Sequence, residues 1–228
     1  MSPFTENLKK RLSEGKHTKL CFFGSSNTER INFGMHWSDC LDLTLRQEYG
    51  RFHRSFQMGV GGETTRGLLT RLERDVLELK PHFVFITIGG NDSNPEQEMS
   101  SVEFKDNLQK LVTTMKQNKI QVCLQTYYEI LEKQMTTAHY KKFIEFMQLI
   151  RDVSSENNCF LIDQLPNWQK LYQKDKTEYI NLMEDPMHLN PKGNLLFGLE
   201  LCRQLTIPVD NNSYWNETKQ LQKRMLES

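Results

Sequence analysis

The stretch FVFITIGGND, residues 83–92, carries the clearest fold signal in the chain. Phe83 to Ile88 is a continuous apolar run that stops at Gly89-Gly90. Runs of this kind suit strands covered on both faces. Shorter relatives of the pattern lie on either side. Lys19 to Phe23 (KLCFF) ends at Gly24, Ile120 to Gln125 reads IQVCLQ, and Cys159 to Ile162 reads CFLI. Phe52 to Met58 is a weaker strand candidate, placed by its neighbours. Helical patterns fill the intervals. Leu68, Leu69, Leu72, Val76 and Leu79 share one face of a helix over 64–79. Phe104, Leu108, Leu111, Val112 and Met115 share another, as do Tyr140, Phe143, Ile144, Met147 and Ile150, and then Leu195, Leu196, Leu199, Cys202 and Leu205. Strand alternating with helix predicts an α/β fold, a parallel sheet with helices on both faces. In such a sheet functional groups collect beyond the carboxyl ends of the strands.

The bulk numbers fit this reading. The chain has 228 residues, enough for one domain with a full core. Lys+Arg and Asp+Glu number 29 each, so the formal net charge is +0 and gives no global reason to expect nucleic acid or an anionic membrane as partner. The polar, charged amino terminus holds no signal-peptide core, and no stretch approaches the roughly 20 apolar residues that span a bilayer. The five cysteines are scattered, without a C-x-x-C pair. Cys21, Cys123 and Cys159 sit in strand-like runs and read as buried apolar side chains in a reducing compartment, with the cytoplasm as the expected location. The segment from about Asp210 to Ser228 is polar, with Tyr214 and Trp215 embedded. It reads as a surface helix or tail, or else as an element that docks on the body.

Four segments at strand or helix ends carry chemistry. Gly24-Ser25-Ser26-Asn27-Thr28-Glu29 follows the first strand. A serine there presents its oxygen at the sheet edge; read alone, small polar residues at such a junction more often cap a helix. Gly59-Val60-Gly61-Gly62-Glu63-Thr64-Thr65 fails the dinucleotide pattern, because Thr65 stands where the last glycine belongs, but a glycine-rich loop still offers a backbone N–H to an oxyanion. Gly89-Gly90-Asn91-Asp92 is good turn chemistry and also places an amide donor at a strand end. In Asp185-Pro186-Met187-His188-Leu189-Asn190-Pro191, a carboxylate three residues before a histidine fixes its tautomer and leaves Nε2 free to take a proton. The other readings of that segment are a cap for the helix at Pro191, or a metal site whose further ligands no spacing supplies.

In this order the four segments resemble the four sequence blocks of the SGNH (GDSL-type) hydrolase family, from about residue 19 to about 206. The first block of that family is usually Gly-Asp-Ser, which puts its nucleophile at Ser26. Gly62 falls on the glycine of the second block, Asn91 on the asparagine of the third, and Asp185 and His188 on the Asp-x-x-His block. The resemblance implies a three-layer α/β/α fold with a five-stranded, mainly parallel, flavodoxin-like sheet. It implies one domain over 1–228, with 207–228 as a carboxyl-terminal extension. It implies an enzyme, a serine esterase acting through an acyl-enzyme. The family covers acetyl esters of sugars, phospholipids and thioesters, and the absence of a signal peptide argues against a secreted lipase, so a small polar ester such as an O-acetylated sugar is the expected substrate. Ser26, His188 and Asp185 would be catalytic, and Ser26, Gly62 and Asn91 would form the oxyanion hole. No cofactor or metal is implied, and the partner is a small ester. Ser25 departs from the pattern by replacing the first-block aspartate. That acid supports the loop in the family, so the departure bears on loop rigidity and leaves the three catalytic positions filled. Tyr127 and Tyr128, after the third clear strand, are candidates for the substrate pocket, or pack beneath a loop. Arg30, Glu63 and Arg66 lie near the site segments and would recognise a polar group or pin a loop. The rival functions are a thioesterase or lysophospholipase of the same fold, and a weakly active member that serves as a ligand-binding module.

Overall fold

The structure, a computed structural model, describes residues 2–30, 34–209 and 213–227, with the backbone alone for Lys133, Ser213 and Tyr214. The strands are β1 (Thr18–Gly24), β2 (His53–Gly59), β3 (Phe83–Thr87), β4 (Gln121–Gln125) and β5 (Phe160–Ile162). All pairings are parallel and the order is β2-β1-β3-β4-β5. The helices are α1 (Pro3–Ser13), α2 (Trp37–Tyr49), α3 (Thr65–Leu72), α4 (Ser101–Gln117), α5 (Thr137–Glu156), α6 (Leu165–Lys174), α7 (Lys176–Ile180), α8 (Pro191–Gln204) and α9 (Ser213–Leu226).

The three layers follow from the strand sequences. Every residue of β3 is buried, as the apolar run requires. On one face Phe22 and Phe85 stack side by side, with Phe4 of α1 edge-on to Phe85 and Trp37 of α2 edge-on to Phe22. Helix α8 packs on α2, with Phe197 edge-on to Trp37. The other face is covered by α3, α4 and α5, packed on one another in that order. β2 pairs with β1 alone and is one of the two edge strands; most of it is only half buried, hence its faint apolar signal. The chain winds outward from β1 to β2, then crosses back to β3 on the other side of β1. The order therefore reverses between β1 and β3, and in sheets of this kind functional groups gather beyond the carboxyl ends of the strands at that point.

Two expectations change in detail. The helix expected over 64–79 is α-helical only to Leu72, and Glu73–Leu77 forms a π turn closed by Glu78 N–H donating to the Glu73 carbonyl at 3.0 Å. The wider turn keeps Val76 buried while Asp75 reaches back to Arg71 at 2.8 Å. The polar carboxyl-terminal segment is no frayed tail: α9 docks on α6 and α8, burying Trp215, Leu221 and Met225. The Tyr214 side chain lies outside the described residues. One continuous hydrophobic core runs from Phe4 to Met225.

Candidate active site

Ser26 stands where β1 gives way to a tight turn. The Ser25 carbonyl accepts from the N–H groups of Thr28 (2.9 Å) and Glu29 (3.0 Å), and Ser26 lies on the crest of that turn. Its N–H has no acceptor among the described residues. Its Oγ lies 2.7 Å from Nε2 of His188.

His188 arrives on a turn fixed by its own sequence. Met183 bridges Leu189, and the Glu184 N–H donates to the His188 carbonyl at 2.8 Å. Within that turn Asp185 uses both carboxylate oxygens. Oδ1 accepts from the backbone N–H groups of Met187 (2.7 Å) and His188 (2.8 Å), and Oδ2 lies 2.7 Å from His188 Nδ1. With the Nδ1 proton directed at Asp185, Nε2 is a bare acceptor facing the Ser26 hydroxyl. Asn190, not the Asp–His pair, caps α8, accepting from Lys192 and Gly193 N–H at 3.0 and 3.1 Å. Among the described residues no group of three or more His, Cys, Asp or Glu side chains is arranged to hold a metal.

Gly62 has φ +77, the left-handed region that glycine tolerates, and a side chain built on it would meet nothing within 4 Å. Its N–H, like that of Ser26, has no acceptor among the described residues. Asn91 follows β3, and one hydrogen of its amide is committed to the Glu63 carbonyl at 2.9 Å, leaving the second available. Asp92 turns the other way. It is buried, and Oδ1 accepts from Thr65 N–H and Oγ1–H, both at 2.7 Å, at the start of α3. Burial raises its carboxyl above the ordinary range. The two polar residues of the Gly-Gly-Asn-Asp segment thus diverge: Asn91 reaches the Glu63 carbonyl while Asp92 ties β3 to α3.

Tyr127 and Tyr128 are 1% and 2% exposed, and their hydroxyls meet the serine turn, as the reading of packing beneath a loop expects. The Tyr127 hydroxyl is 3.1 Å from Ser25 Oγ, and that of Tyr128 sits between Asn27 Oδ1 (2.7 Å) and the Met187 carbonyl (2.5 Å). Burial pushes both phenols above their usual range, so both stay protonated. Arg30 pairs with Asp39 at 3.1 Å, and Arg66 makes a forked pair with Glu103 at 2.5 and 2.7 Å; both are pinned at the surface. Glu63 turns its carboxylate inward, 3.7 Å from Arg71 Nε.

Several supports carried no signal in the sequence reading. The Asn27 carbonyl accepts from Trp37 Nε1–H at 2.6 Å and lies 3.3 Å from His36 Nε2. Burial holds His36 down to about 4, so the ring is neutral, and its Nδ1 faces Ser38 Oγ at 2.6 Å. The capping pattern of His36 with Asp39 at the start of α2 was the available clue.

This fold, with a serine at the β1 switch point facing a histidine, places the chain among the GDSL-type carboxylic ester hydrolases. It belongs to the GDSL-like Lipase/Acylhydrolase family, whose sequence profile matches residues 22–196. Among curated proteins the chain is similar to the "Isoamyl acetate-hydrolyzing esterase 1 homolog" of Mus musculus, 26% identical over 222 residues that cover 89% of this chain and 88% of the relative. It is also similar to the "Uncharacterized lipoprotein YqeF" of Bacillus subtilis (strain 168), 26% identical over 208 residues covering 75% and 82%. Among solved structures the fold is shared with a catalytic mutant of Axe2, an acetylxylan esterase from Geobacillus stearothermophilus, at TM-score 0.74 and 23% identity over 87% of this chain and 99% of that one. It is shared too with the acetyl xylan esterase AlAXEase, at TM-score 0.71 and 23% identity over 81% and 98%.

Proposed function

We propose that the chain is a single-domain serine esterase that removes short acyl groups, acetyl first, through a covalent acyl-enzyme. The observation that carries this reading is the continuous line from Ser26 Oγ through the His188 ring to Asp185 Oδ2, two contacts of 2.7 Å each. His188 Nε2 takes the Ser26 proton as Oγ attacks the carbonyl carbon, and Asp185 stabilises the imidazolium that forms. The developing oxyanion is met by the free N–H groups of Ser26 and Gly62 and by the second amide hydrogen of Asn91, each such donor being worth about 100- to 1,000-fold in rate. His188 then gives its proton to the leaving alcohol, and water attacks the acyl-enzyme by the same route in reverse. The catalytic mutants of Axe2 replace a serine, a histidine or an aspartate, and the last two stand three residues apart, as Asp185 and His188 do.

Acetyl is the acyl group named in both kinds of relative, an isoamyl acetate esterase homologue and two acetylxylan esterases, while their alcohols differ. We take the acyl group to be acetyl and a carbohydrate to be the first alcohol to test. The same reading places the enzyme in the cytoplasm, supported by five free thiols, four of them buried. No helix among the described residues is long and apolar enough to cross a membrane. Because one relative is a lipoprotein, cell fractionation is the check.

Ser26→Ala is expected to abolish hydrolysis of p-nitrophenyl acetate and labelling by a fluorophosphonate, with the thermal midpoint unchanged. Persistent turnover in that variant removes the assignment. A series of acetyl, butyryl and octanoyl esters should show falling kcat/KM with chain length; a rise toward octanoyl favours a lysophospholipase-like or thioesterase role instead.

A further inference from the structure

Arg71 is buried, 7% exposed, on a helix that covers the sheet. Its planar fork meets the ends of two strands at once. Nη2–H donates to the Gly24 carbonyl at 2.7 Å, two residues before Ser26, and Nη1–H to the Met58 carbonyl at 2.9 Å, four residues before Gly62. The guanidinium also pairs with Asp75 at 2.8 Å and lies 4.6 Å from the centre of the Phe23 ring. Its remaining edge, Nε, faces Glu63 Oε2 at 3.7 Å, and neither atom has a hydrogen-bond partner among the described residues. Glu63 directly follows Gly62, and its carbonyl holds the Asn91 amide. One cation therefore touches both flanks of the glycine loop and the root of the serine turn.

A second observation points the same way. A side chain at Gly67 would place its Cβ 1.6 Å from Glu63 Oε2. Glycine within a helix is otherwise unfavourable. Here the bare Cα leaves the space into which the Glu63 carboxylate folds.

We propose that Arg71 and Glu63 are a positioning pair that sets the Gly62 N–H and the Asn91 amide against Ser26. Neither touches the reacting atoms; they act through the oxyanion donors, so the inference rests on the esterase reading above. Oxyanion donors are effective only in a narrow range of positions, and a misplacement on the order of 1 Å costs about 100-fold. A single planar fork that reaches both strand ends is a task for arginine, which lysine with its point charge does not perform.

The test compares wild type, E63Q, G67A and R71K on p-nitrophenyl acetate, each alone and with N91A, with S26A as control. E63Q and G67A are expected to lower kcat by roughly tenfold while KM stays within about twofold, the pattern of an interaction felt in the transition state. G67A should hold or raise the thermal midpoint, because alanine favours the helix. A merely structural role cannot combine equal or greater stability with a lost kcat. In the N91A background the same substitutions should cost less than about threefold, since part of the geometry they disturb is already absent. R71K should lose kcat like E63Q. Wild-type kcat in both E63Q and G67A overturns the pairing, as does a full tenfold cost retained with N91A, or a loss that only tracks the melting temperature. If S26A is inactive while E63Q and G67A behave as wild type, the pairing alone falls. If S26A is active, the esterase reading falls first.

Discussion

The two loops that bring Ser26 and His188 together are built on opposite plans. The serine turn is held from outside. Ser25 and Thr28 are 1% and 0% exposed, and the partners of the turn come from α2 and from the segment after β4: Trp37, His36, Tyr127 and Tyr128. The histidine turn is held from within. Asp185 has 47% of its side chain exposed, and every hydrogen bond of its carboxylate ends within three residues. Besides the Ser26 contact, the turn is tethered to the body by Leu131 N–H on the Pro186 carbonyl (3.0 Å), Asn27 Nδ2 near the Met187 carbonyl (3.4 Å), the Tyr128 hydroxyl and the Asn194 amide on the Leu189 carbonyl (2.9 Å). The position of the serine is thus a property of the whole fold, whereas the orientation of the histidine is written into four consecutive residues.

That contrast ranks the effects of breaking each loop. Of the two residues in the histidine turn, His188→Ala is expected to cost more, on the order of 10⁵-fold in kcat, with little change in thermal midpoint because the side chain is partly exposed. Asp185→Ala should cost less, roughly 10³-fold, although a carboxylate buried in this role is worth about 10⁴. Water reaches Asp185 and can satisfy Nδ1–H in its absence. Steady-state kinetics on p-nitrophenyl acetate separates the two, and equal losses would mean that the turn depends on the carboxylate as fully as the serine turn depends on its buried partners.

The buried plan also makes the serine side sensitive to acid. His36 is neutral and its pKa is held down to about 4, against 6.5 for a free imidazole. As pH falls below 6.5 the unfolded chain takes the proton first, so stability is full above 6.5, declines between 6.5 and 4, and declines no further below that on this account. The loss amounts to about 3 kcal/mol. His36→Gln should remove this slope, and urea unfolding of both proteins at several pH values measures it. Parallel curves for the two proteins would detach the α2 cap from the stability of the serine turn.

The same contrast explains what was legible in the sequence. The Asp-x-x-His turn could be read because its bonds are local. Ser26, Gly62 and Asn91 stand out through the order of the four family blocks, and each lies in a segment that follows a strand. β3 was plain because both faces are covered, and β2 was faint because an edge strand carries Arg54, Ser55 and Gln57 among its apolar residues. The supports were hidden for a physical reason. Arg71 sits in LTRLERD, which looks like a solvated helix face, and its burial exists only once β1 and β2 end beside it. Tyr127 and Tyr128 pointed toward the right end of the sheet, but nothing local fixes on which side of the serine turn a tyrosine lies. The spacing of Phe4, Leu8 and Leu12 gives α1 its buried face, a faint signal in a segment otherwise dominated by polar and charged residues.

The smallest expected effects concern Ser25, which occupies the position of an aspartate in the family pattern. Its hydroxyl meets the buried Tyr127 phenol at 3.1 Å and touches no reacting atom. Ser25→Ala should therefore leave kcat within about tenfold of wild type and cost about 1–2 kcal/mol of stability, because it strands a buried hydroxyl. Tyr127→Phe strands the serine in turn. Replacing both removes donor and acceptor together, which is nearly neutral in comparison. The double variant should therefore be more stable than the sum of the two single losses predicts, a coupling that denaturant unfolding resolves. Strict additivity would mean that the Ser25–Tyr127 contact does not take over the support that an acid gives elsewhere, and the rigidity of the turn would then rest on Asn27 and its ring partners alone.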